Sequence, residues 1–425
     1  MGIAANTAQI EVDSLRVGMF IHLDVGWMSH PFPLSSFKIT SIEQIATIRS
    51  LGLKRVRWTP EHSDPEGPPV TLAFVTQPAP LSGAVPLETP EAAARRERRE
   101  ALAAQRAELS LCERQFAEAT RECRQLTDLV STAPTAASER AQALSQALVG
   151  KMAGQQDLCI RLLSEAAGDK AAAHAVNVTL ISLLMGRAFG FAEAEMLDLG
   201  VGALLHDVGK LDLPDRVRFR EDHFSAPEIK FYEEHVTLGV AHSRRMGLSA
   251  GATLVVAQHH EHSDGSGFPL KIGSERMTPA SRIVALVNRY DNLCNPHVPA
   301  KALTPHEALS LLFAQGKNKF DTAILGAFIK MMGVYPPGSV VQLTDDRFAV
   351  VVGVNSSRPL KPRVLVHDAK VPLDEALIVD LECAPALGIR RSIKPSALPR
   401  EALDYLSPRQ RVAYFFEPAR ELEAA

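Results

Sequence analysis

The sequence has little cysteine and no strong charge of one sign. Its five cysteines are odd in number, widely spaced and without a Cys-x-x-Cys pair: Cys112, Cys123, Cys159, Cys294 and Cys383. Neither a disulfide framework nor a thiolate zinc site is therefore expected. Lys and Arg number 46 against 49 Asp and Glu, a net charge of −3. This balance argues against a partner that is a nucleic-acid polymer, which needs a strongly basic surface, but it is compatible with one small anionic ligand.

Long apolar runs are also absent from the sequence. The richest apolar stretch, Val176 to Met185, contains polar residues and is far shorter than the roughly 20 residues that span a bilayer. The N-terminus has no basic stretch followed by an apolar run, as a signal peptide would. We therefore expect a soluble, cytoplasmic protein without membrane contact. Hydrophobic residues make up 46% and charged residues 22% of the chain, which is typical of globular proteins.

The 425 residues predict two or three folded units at about 150 residues per domain. Residues 1–62 alternate short apolar strands with turn residues around one helical segment, which predicts a small α+β domain. Residues 63–90 are rich in Pro and Gly and predict a linker. Helical spacing throughout residues 135–334 predicts an all-helical domain. Residues 335–425 change to a period of two, which predicts a small antiparallel β unit with a helical tail, so the fold class is mainly α.

Residues 91–134 form a charged stretch of helix-favouring residues, typical of an exposed helix. Its apolar stripe advances in steps of seven residues, through Leu102, Leu109, Phe116, Cys123 and Val130. Such a stripe permits a coiled coil and hence a homodimer through residues 91–130. The alternative, a helix that packs on its own domain, explains the stripe equally simply.

Histidine is concentrated in one region: ten of the fourteen lie within residues 174–306. The sharpest pattern there is His206-Asp207-Val208-Gly209-Lys210. An imidazole beside a carboxylate at the polar end of an apolar helix offers two ligands to one metal, and the second carboxylate oxygen can bridge to another metal. By itself such a pair is weak evidence, because ordinary surface pairing produces many of them.

Further candidate ligands make the metal interpretation stronger. Each lies on a different predicted helix or helix end: His174, His235, His259-His260, Asn288 and Asp291. Helices packed side by side can point such residues into one centre. Imidazole with carboxylate suits Mn, Fe or Zn rather than Ca. Four further histidines, His223, His242, His262 and His306, do not fit the pattern, so ordinary surface or core roles are expected for them.

A second motif follows the histidine pair directly. It contains two glycines two residues apart and then an aromatic residue and proline, in the order Asp264, Gly265, Gly267, Phe268 and Pro269. Glycine lets a backbone approach a ligand closely, and proline fixes the shape of a loop. Beside metal-ligating histidines, such a loop can frame a substrate entrance.

Taken together, His-Asp-x-Gly-Lys, His-His-Glu and Asp-Gly-x-Gly-aromatic-Pro resemble the HD-GYP domain. This domain is a branch of the HD-domain metal-dependent phosphohydrolases that hydrolyses the bacterial second messenger cyclic di-GMP. The resemblance covers about residues 170–333. Residues 10–62, with Val17-Gly18-Met19-Phe20 and Trp27-Met28-Ser29-His30-Pro31-Phe32, are similar to an N-terminal domain of unknown function that often precedes HD-GYP domains.

The resemblance implies a two-metal phosphodiesterase that opens cyclic di-GMP to linear pGpG, with a second cut giving GMP. Two divalent transition metal ions, Fe or Mn, are implied as cofactors. The implied metal ligands are His174, His206, Asp207, His235, His259, His260 and Asn288. Asp207 and Lys210 are the implied catalytic residues. The implied substrate-binding residues are Lys210, Asp264, Gly265, Gly267, Phe268, Pro269 and Lys301.

Several positions depart from the family pattern. Asn288 stands where the family usually has a metal-binding Asp, and an amide oxygen is a neutral ligand. Phe268 replaces the tyrosine of the signature, and His297-Val298-Pro299 replaces its usual Arg-Pro-Tyr. Lys170 lies four residues before His174, where some members have a glutamate ligand for a third metal, so two metals are expected here.

Two alternative functions stay open at this point. The Asn288 substitution suits a sensor or scaffold that binds cyclic di-GMP without hydrolysing it. An HD phosphohydrolase of another cyclic dinucleotide or nucleotide would show the same ligand pattern.

Overall fold

The computed structural model describes residues 8–23, 36–64, 89–153, 157–164, 169–219 and 223–419. The chain forms two compact units, Met1–Glu100 and Ala101–Ala425. Helices predominate, and the described strands all pair antiparallel. The predicted class, mainly α with a small N-terminal α+β region, is confirmed.

The first unit contains a four-stranded sheet and one short helix. The strands are β1 (Ala8–Glu11), β2 (Phe20–His22), β3 (Ser36–Lys38) and β4 (Arg55–Trp58), in the order β1-β4-β2-β3, and the helix is α1 (Ile42–Ser50). The core is formed by apolar residues such as Ile21, Ile39 and Ile48. The Ser41 hydroxyl accepts a hydrogen bond from the Gln44 amide and so starts α1. The motif at residues 27–32 and most of the predicted linker lie outside the described residues.

Helices build most of the second unit. They are α2 (Pro90–Leu129), which begins in the first unit, α3 (Pro134–Met152), α4 (Lys170–Ala188), α5 (Glu193–Leu205), α6 (Asp215–Arg218), α7 (Ala226–Met246), α8 (Ala250–Gln258), α9 (Pro279–Cys294), α10 (Pro305–Gln315), α11 (Thr322–Met332) and α12 (Arg400–Leu406). Helix α5 packs against α3, α4 and α8, and α4 also packs against α9. The hydroxyls of Thr278 and Thr304 cap α9 and α10, each of which has proline in its first turn.

Helix α4 is long and apolar enough to cross a membrane by length and composition alone. Its best 18-residue window has a mean hydropathy of 1.2, and 72% of that window is buried inside the protein. Such burial is what the core helix of a soluble protein shows, because a helix that is apolar on all sides packs in the middle of a domain.

The remaining strands form one seven-stranded sheet in the second unit. They are β5 (Leu158–Leu162), β6 (Val340–Leu343), β7 (Phe348–Asn355), β8 (Arg363–Val366), β9 (Ile378–Asp380), β10 (Ile389–Ser392) and β11 (Tyr414–Pro418). The order is β10-β6-β7-β5-β11, with β8 beside β7 and β9 beside β8. Strand β5 thus lies between β7 and β11, with Cys159 opposite both Asn355 and Glu417.

This sheet differs from the arrangement expected from the sequence. The stretch 135–334 was expected to be helical throughout, but it contributes β5. Residues 335–425 were expected to form their own β unit with a helical tail, but they share a sheet with β5, and α12 is followed by strand β11. All five residues of β5 are buried, including the charged Arg161, and a short, mostly apolar run without alternation does not distinguish a strand from a buried helical turn.

The charged helix predicted at residues 91–134 corresponds to α2. From its seven-residue stripe, Phe116 and Cys123 are buried, as is Val130 just beyond the helix. These three residues pack within the second unit, as the alternative to a coiled coil predicted. A homodimer through residues 91–130 stays a prediction.

Candidate metal centre

The candidate ligands are placed by four helices and by the start of the turn that follows α5. Residues Met196 and Leu199–Leu205 make α5 a buried helix, and His206 caps its C-terminus with Asp207 directly after it. His174 lies on α4 and His235 on α7. His259 caps α8 and is followed by His260. Since α4 and α8 pack on α5, and α7 packs on α8 and on the 3-10 turn that follows α5, the sequence brings polar residues from distant positions to one buried end of α5.

Asp207 lies at the centre of two groups of possible ligands. Its Oδ2 is 3.7 Å from Nε2 of His174 and 3.5 Å from Nε2 of His206. Its Oδ1 is 3.6 Å from Nε2 of both His235 and His259. His260 completes the second group, in which the ligand atoms lie within 4.8 Å of one another. One carboxylate thus faces two clusters of imidazoles with different oxygens, as a residue that bridges two metal ions would.

Backbone carbonyls fix the orientation of three of these imidazoles. The Nδ1–H of His206 donates to the Ala203 carbonyl at 2.7 Å, that of His235 to Tyr232 at 2.6 Å, and that of His259 to Val256 at 2.8 Å. In each case the acceptor is the carbonyl three residues earlier. With the proton on Nδ1, the lone pair of Nε2 points into the cluster, which is the arrangement that metal-ligating histidines usually have.

His174 is oriented by a carboxylate instead. Its Nδ1 lies 2.6 Å from Oδ2 of Asp291, and Asp291 is fully buried on α9. The sequence placed Asp291 in the series but assigned it no role. A carboxylate that accepts the Nδ1 proton of a ligating histidine raises the basicity of that ligand.

Buried atoms without a partner show that the cluster fits metal ions. Among the described residues, Oδ1 of Asp207 and Nε2 of His260 are buried and have no hydrogen-bond partner, and an unpartnered buried polar atom is costly. Burial lowers the pKa of His235 to about 3 and also lowers the pKa values of His259 and His260. Neutral imidazoles with one carboxylate suit a divalent transition metal.

Lys210 is the cation of the site. Its Nζ donates to Oδ2 of Asp207 at 2.7 Å and lies 5.4 Å from the centre of the Tyr232 ring. Burial alone would raise the pKa of Asp207, but Lys210 and His206 offset it, so this pKa lies well below its usual range. Burial alone would lower the pKa of Lys210, but the Asp207 carboxylate raises it above its usual value. The pair is therefore ionised at neutral pH.

Gly209 explains the glycine of the His-Asp-x-Gly-Lys motif. A Cβ atom there would lie 1.9 Å from the backbone oxygen of His235 and 2.4 Å from the backbone nitrogen of Gly239. The 3-10 turn Val208–Asp212 therefore packs directly on the backbone of α7. This close approach sets the distance between Asp207 and His235.

The second motif forms a loop whose aromatic residue contacts the cluster. Phe268 stacks on His260, with ring centres 4.5 Å apart and an angle of 20° between the planes. A Cβ atom at Gly267 would lie 2.4 Å from the backbone oxygen of His260, and Gly265 has a φ of +73°. Both glycines are therefore required by the backbone path. Asp264 and Pro269, at the two ends of the motif, are exposed.

Glu261, which follows the histidine pair, holds this loop from inside. It is fully buried. Its Oε1 accepts hydrogen bonds from the amides of Leu270 and Lys271 at 2.6 and 3.2 Å, and its Oε2 accepts one from Ile272 at 3.1 Å. The family pattern His-His-Glu includes this glutamate, but the sequence did not indicate its structural role.

The structure assigns no ligand role to Asn288 or Lys301. Asn288 is buried on α9, and its Oδ1 accepts a hydrogen bond from Nδ2 of Asn292 at 2.6 Å. Lys301 ends the 3-10 turn Pro299–Lys301 and is exposed. Metal coordination by Asn288 and substrate binding by Lys301 stay predictions.

Two family models match the chain. One, described as a domain of unknown function (DUF3391), matches residues 7–141. The other, described as an HD domain, matches residues 124–324. The second match contains both groups of ligands that share Asp207.

Similar proteins include three with curated names. A cyclic di-GMP phosphodiesterase of Pseudomonas aeruginosa is 28% identical over 390 residues, which are 88% of this chain and 88% of that protein. The cyclic di-GMP phosphodiesterase PdeB of Borreliella burgdorferi is 23% identical over 200 residues, 47% of this chain and 53% of that protein. A 3'3'-cGAMP-specific phosphodiesterase of Vibrio cholerae is 28% identical over 163 residues, 38% of this chain and 31% of that protein.

Proposed function

We propose that this chain, which belongs to the HD-GYP family of HD-domain proteins and carries a DUF3391 domain at its N-terminus, hydrolyses cyclic di-GMP to linear pGpG. The observation that carries the proposal is Asp207, whose Oδ1 and Oδ2 each face a separate group of histidines. Two-metal hydrolases place their ions about 3.5–4 Å apart, a separation that one bridging carboxylate can span.

Two divalent ions would be held by His174, His206 and Asp207 on one side, and by Asp207, His235, His259 and His260 on the other. Bound there, they supply the Lewis acidity that phosphodiester hydrolysis requires. We propose Fe or Mn, because the ligands are imidazole and carboxylate without a thiolate. Asn288 is proposed as a further, neutral ligand from α9.

Lys210 is proposed to stabilise the reacting phosphate. Its ammonium is already beside Oδ2 of Asp207, so it can contact a phosphate oxygen next to the cluster without moving far. A preorganised cation at that point favours the negative charge that collects on the non-bridging oxygens. The leaving 3′ oxygen needs a proton, and no described residue is assigned to supply it.

The loop around Phe268 is proposed to frame the substrate entrance. Phe268 packs on His260 and against Tyr232, so it holds the second ligand group in place. Asp264, Gly265, Gly267 and Pro269 would form the outer wall of this entrance. Lys301 is proposed to hold the second phosphate of the dinucleotide.

The remaining parts of the proposal concern product, location and assembly. With Lys170 exposed at the start of α4, and no carboxylate at that position, two ions and the linear product pGpG are favoured over a second cut to GMP. A cytoplasmic location follows from the substrate, an intracellular messenger. A homodimer through residues 91–130 would use the exposed side of α2.

Purified protein loaded with Mn²⁺ or Fe²⁺ tests the function. We expect pGpG to accumulate from cyclic di-GMP, faster than products form from 3'3'-cGAMP or cyclic di-AMP, as measured by chromatography of quenched samples. Nucleotide binding without any product under either metal would show a sensor instead. Faster turnover of another dinucleotide would show a different substrate.

Changing Asn288 tests its place in the site. We expect Asn288→Asp to raise Mn²⁺ affinity about tenfold, roughly 1.4 kcal/mol, because a carboxylate adds a negative charge where the amide offers only a dipole. Activity should be kept or raised, and the hydrogen bond from Asn292 can persist. Mn²⁺ titrations of the wild-type protein and of Asn355→Asp are the controls. Asn355→Asp makes the same chemical change on β7. Loss of metal by Asn288→Asp would mean that the site is arranged differently, and an unchanged Mn²⁺ affinity would mean that Asn288 does not face the ions.

A further inference from the structure

The buried carboxylate of Asp291 has a second set of partners besides His174. Its Oδ1 accepts hydrogen bonds from Nδ2 of Asn177 and from Nδ2 of Asn295, both at 3.0 Å. Asn177 lies on α4, one turn after His174, and Asn295 caps α9, one turn after Asp291. A fully buried carboxylate needs such donors, because it has no water to form hydrogen bonds with. The two amides therefore maintain the acceptor that orients His174.

The two amides are themselves held by the residues that lead into the last strand. Nδ2 of Asn177 and Nδ2 of Asn295 also donate to the backbone oxygen of Val412, at 3.0 and 2.8 Å. Oδ1 of Asn295 accepts from the Val412 amide at 2.9 Å, and Oδ1 of Asn177 accepts from the Tyr414 amide at 3.1 Å. Every donor and the acceptor of each side chain is thus used. These partners permit only one orientation of each amide group.

The position of Val412 is fixed by the sheet. Strand β11 pairs with β5, and the amide of Leu163 donates to the oxygen of Ala413 at 2.9 Å. The segment 412–414 therefore cannot shift relative to β5 without breaking the ladder. Residues 412–414 connect through two amides and one carboxylate to His174, and Nε2 of His174 lies 3.3 Å from Nε2 of His206.

We infer that Asn177 and Asn295 are positioning residues of the metal centre, which act by clamping Asp291 between the C-terminal segment 412–414 and His174. This inference rests on the proposed function only in that the cluster binds metal. Loss of the clamp frees the Asp291 carboxylate and lets the His174 ring turn. The site formed by His174, His206 and Asp207 would then bind its ion more weakly. The affinity of the site that contains His235, His259 and His260 would not change.

Mn²⁺ titration of the full chain tests the clamp. We expect Asn295→Ala to bind one ion with unchanged affinity and the other about 10–100-fold more weakly, the usual effect of losing an outer-shell partner. Asn177→Ala should behave in the same way. Electron paramagnetic resonance should then change from the signal of a coupled Mn²⁺ pair to that of an isolated ion at limiting metal.

Tyr414→Phe is the matched control. It removes a buried hydroxyl from the same segment, where it bonds Tyr290 and the Pro337 oxygen at 3.2 Å, but it leaves the clamp intact. We expect it to keep both ions even if it lowers the melting temperature. The inference would be overturned if Asn295→Ala lowered the Mn²⁺ affinity of both sites equally, or if it bound Mn²⁺ as the wild-type protein does.

The same Mn²⁺ titrations distinguish a failure of the proposed function from a failure of the clamp inference. If the wild-type protein binds two ions but hydrolyses no dinucleotide, only the proposed function is contradicted. The variants still decide whether the clamp exists. If the wild-type protein binds no Mn²⁺, both the proposed function and the clamp inference are overturned.

Discussion

Asp207→Ala should remove both metal ions and reduce phosphodiester hydrolysis by about a thousandfold or more. Its two oxygens face different histidine groups, at 3.5–3.7 Å, so the change takes one ligand from each ion. Two metal ions stabilise the transition state by several kcal/mol, and each 1.36 kcal/mol of lost stabilisation slows the reaction tenfold. Elemental analysis of the purified protein and initial rates with Mn²⁺ measure the two effects.

Asp212→Asn is the control for this change. Asp212 ends the 3-10 turn that Asp207 precedes, and it bonds Nε2 of His242 at 2.8 Å, outside both ligand groups. It should keep metal and activity. Because Asp207→Ala leaves the Lys210 ammonium buried without its partner, folding should be checked by circular dichroism. Unchanged metal content in folded Asp207→Ala would show that Asp207 is not the bridge.

Glu261→Gln should loosen the loop that carries Phe268. The carboxylate accepts three backbone hydrogen bonds, whereas a glutamine turns one oxygen into a donor that faces other donors. Hydrogen bonds to a charged group contribute about 1.5–3 kcal/mol each, so we expect a local loss of about 3 kcal/mol. The amides of residues 270–272 should then exchange with solvent about a hundredfold faster, as hydrogen-exchange mass spectrometry can measure.

The activity of Glu261→Gln should also fall, because Phe268 then no longer holds the His260 ring in one orientation. Glu275→Gln, an exposed change in the following turn, should affect neither exchange nor activity. If the amides of residues 270–272 stay protected in Glu261→Gln, the loop is held by the packing of Phe268 and not by the buried carboxylate.

The features that could be predicted from the sequence are those that depend on residues close together in the chain. Helices α9 and α10, for example, begin with a threonine cap and a proline in the first turn, which are local signals. The His206-Asp207 pair could be located because an apolar helix ends there. Spacing also indicated His174, His235, His259 and His260, since each lies on a separate helix.

The parts that were missed depend on residues far apart in the sequence. Strand β5 has no alternation, because both of its faces are buried, so its partners alone distinguish it from a helical turn. The role of Asp291 depends on Val412, which lies 117 residues after Asn295. The structural role of Glu261 could not be assigned either, because its partners are backbone amides, which have no sequence signal.

The position of β5 has a consequence for synthesis of the protein. Leu158–Leu162 leaves the ribosome long before either of its partners, β7 at Phe348–Asn355 and β11 at Tyr414–Pro418. A mostly apolar strand with two unpaired edges is prone to self-association until its partners have been synthesised. A chain that terminates before Val412 would leave the β11 edge of β5 unpaired, and it would lack the backbone partner that Asn177 and Asn295 share.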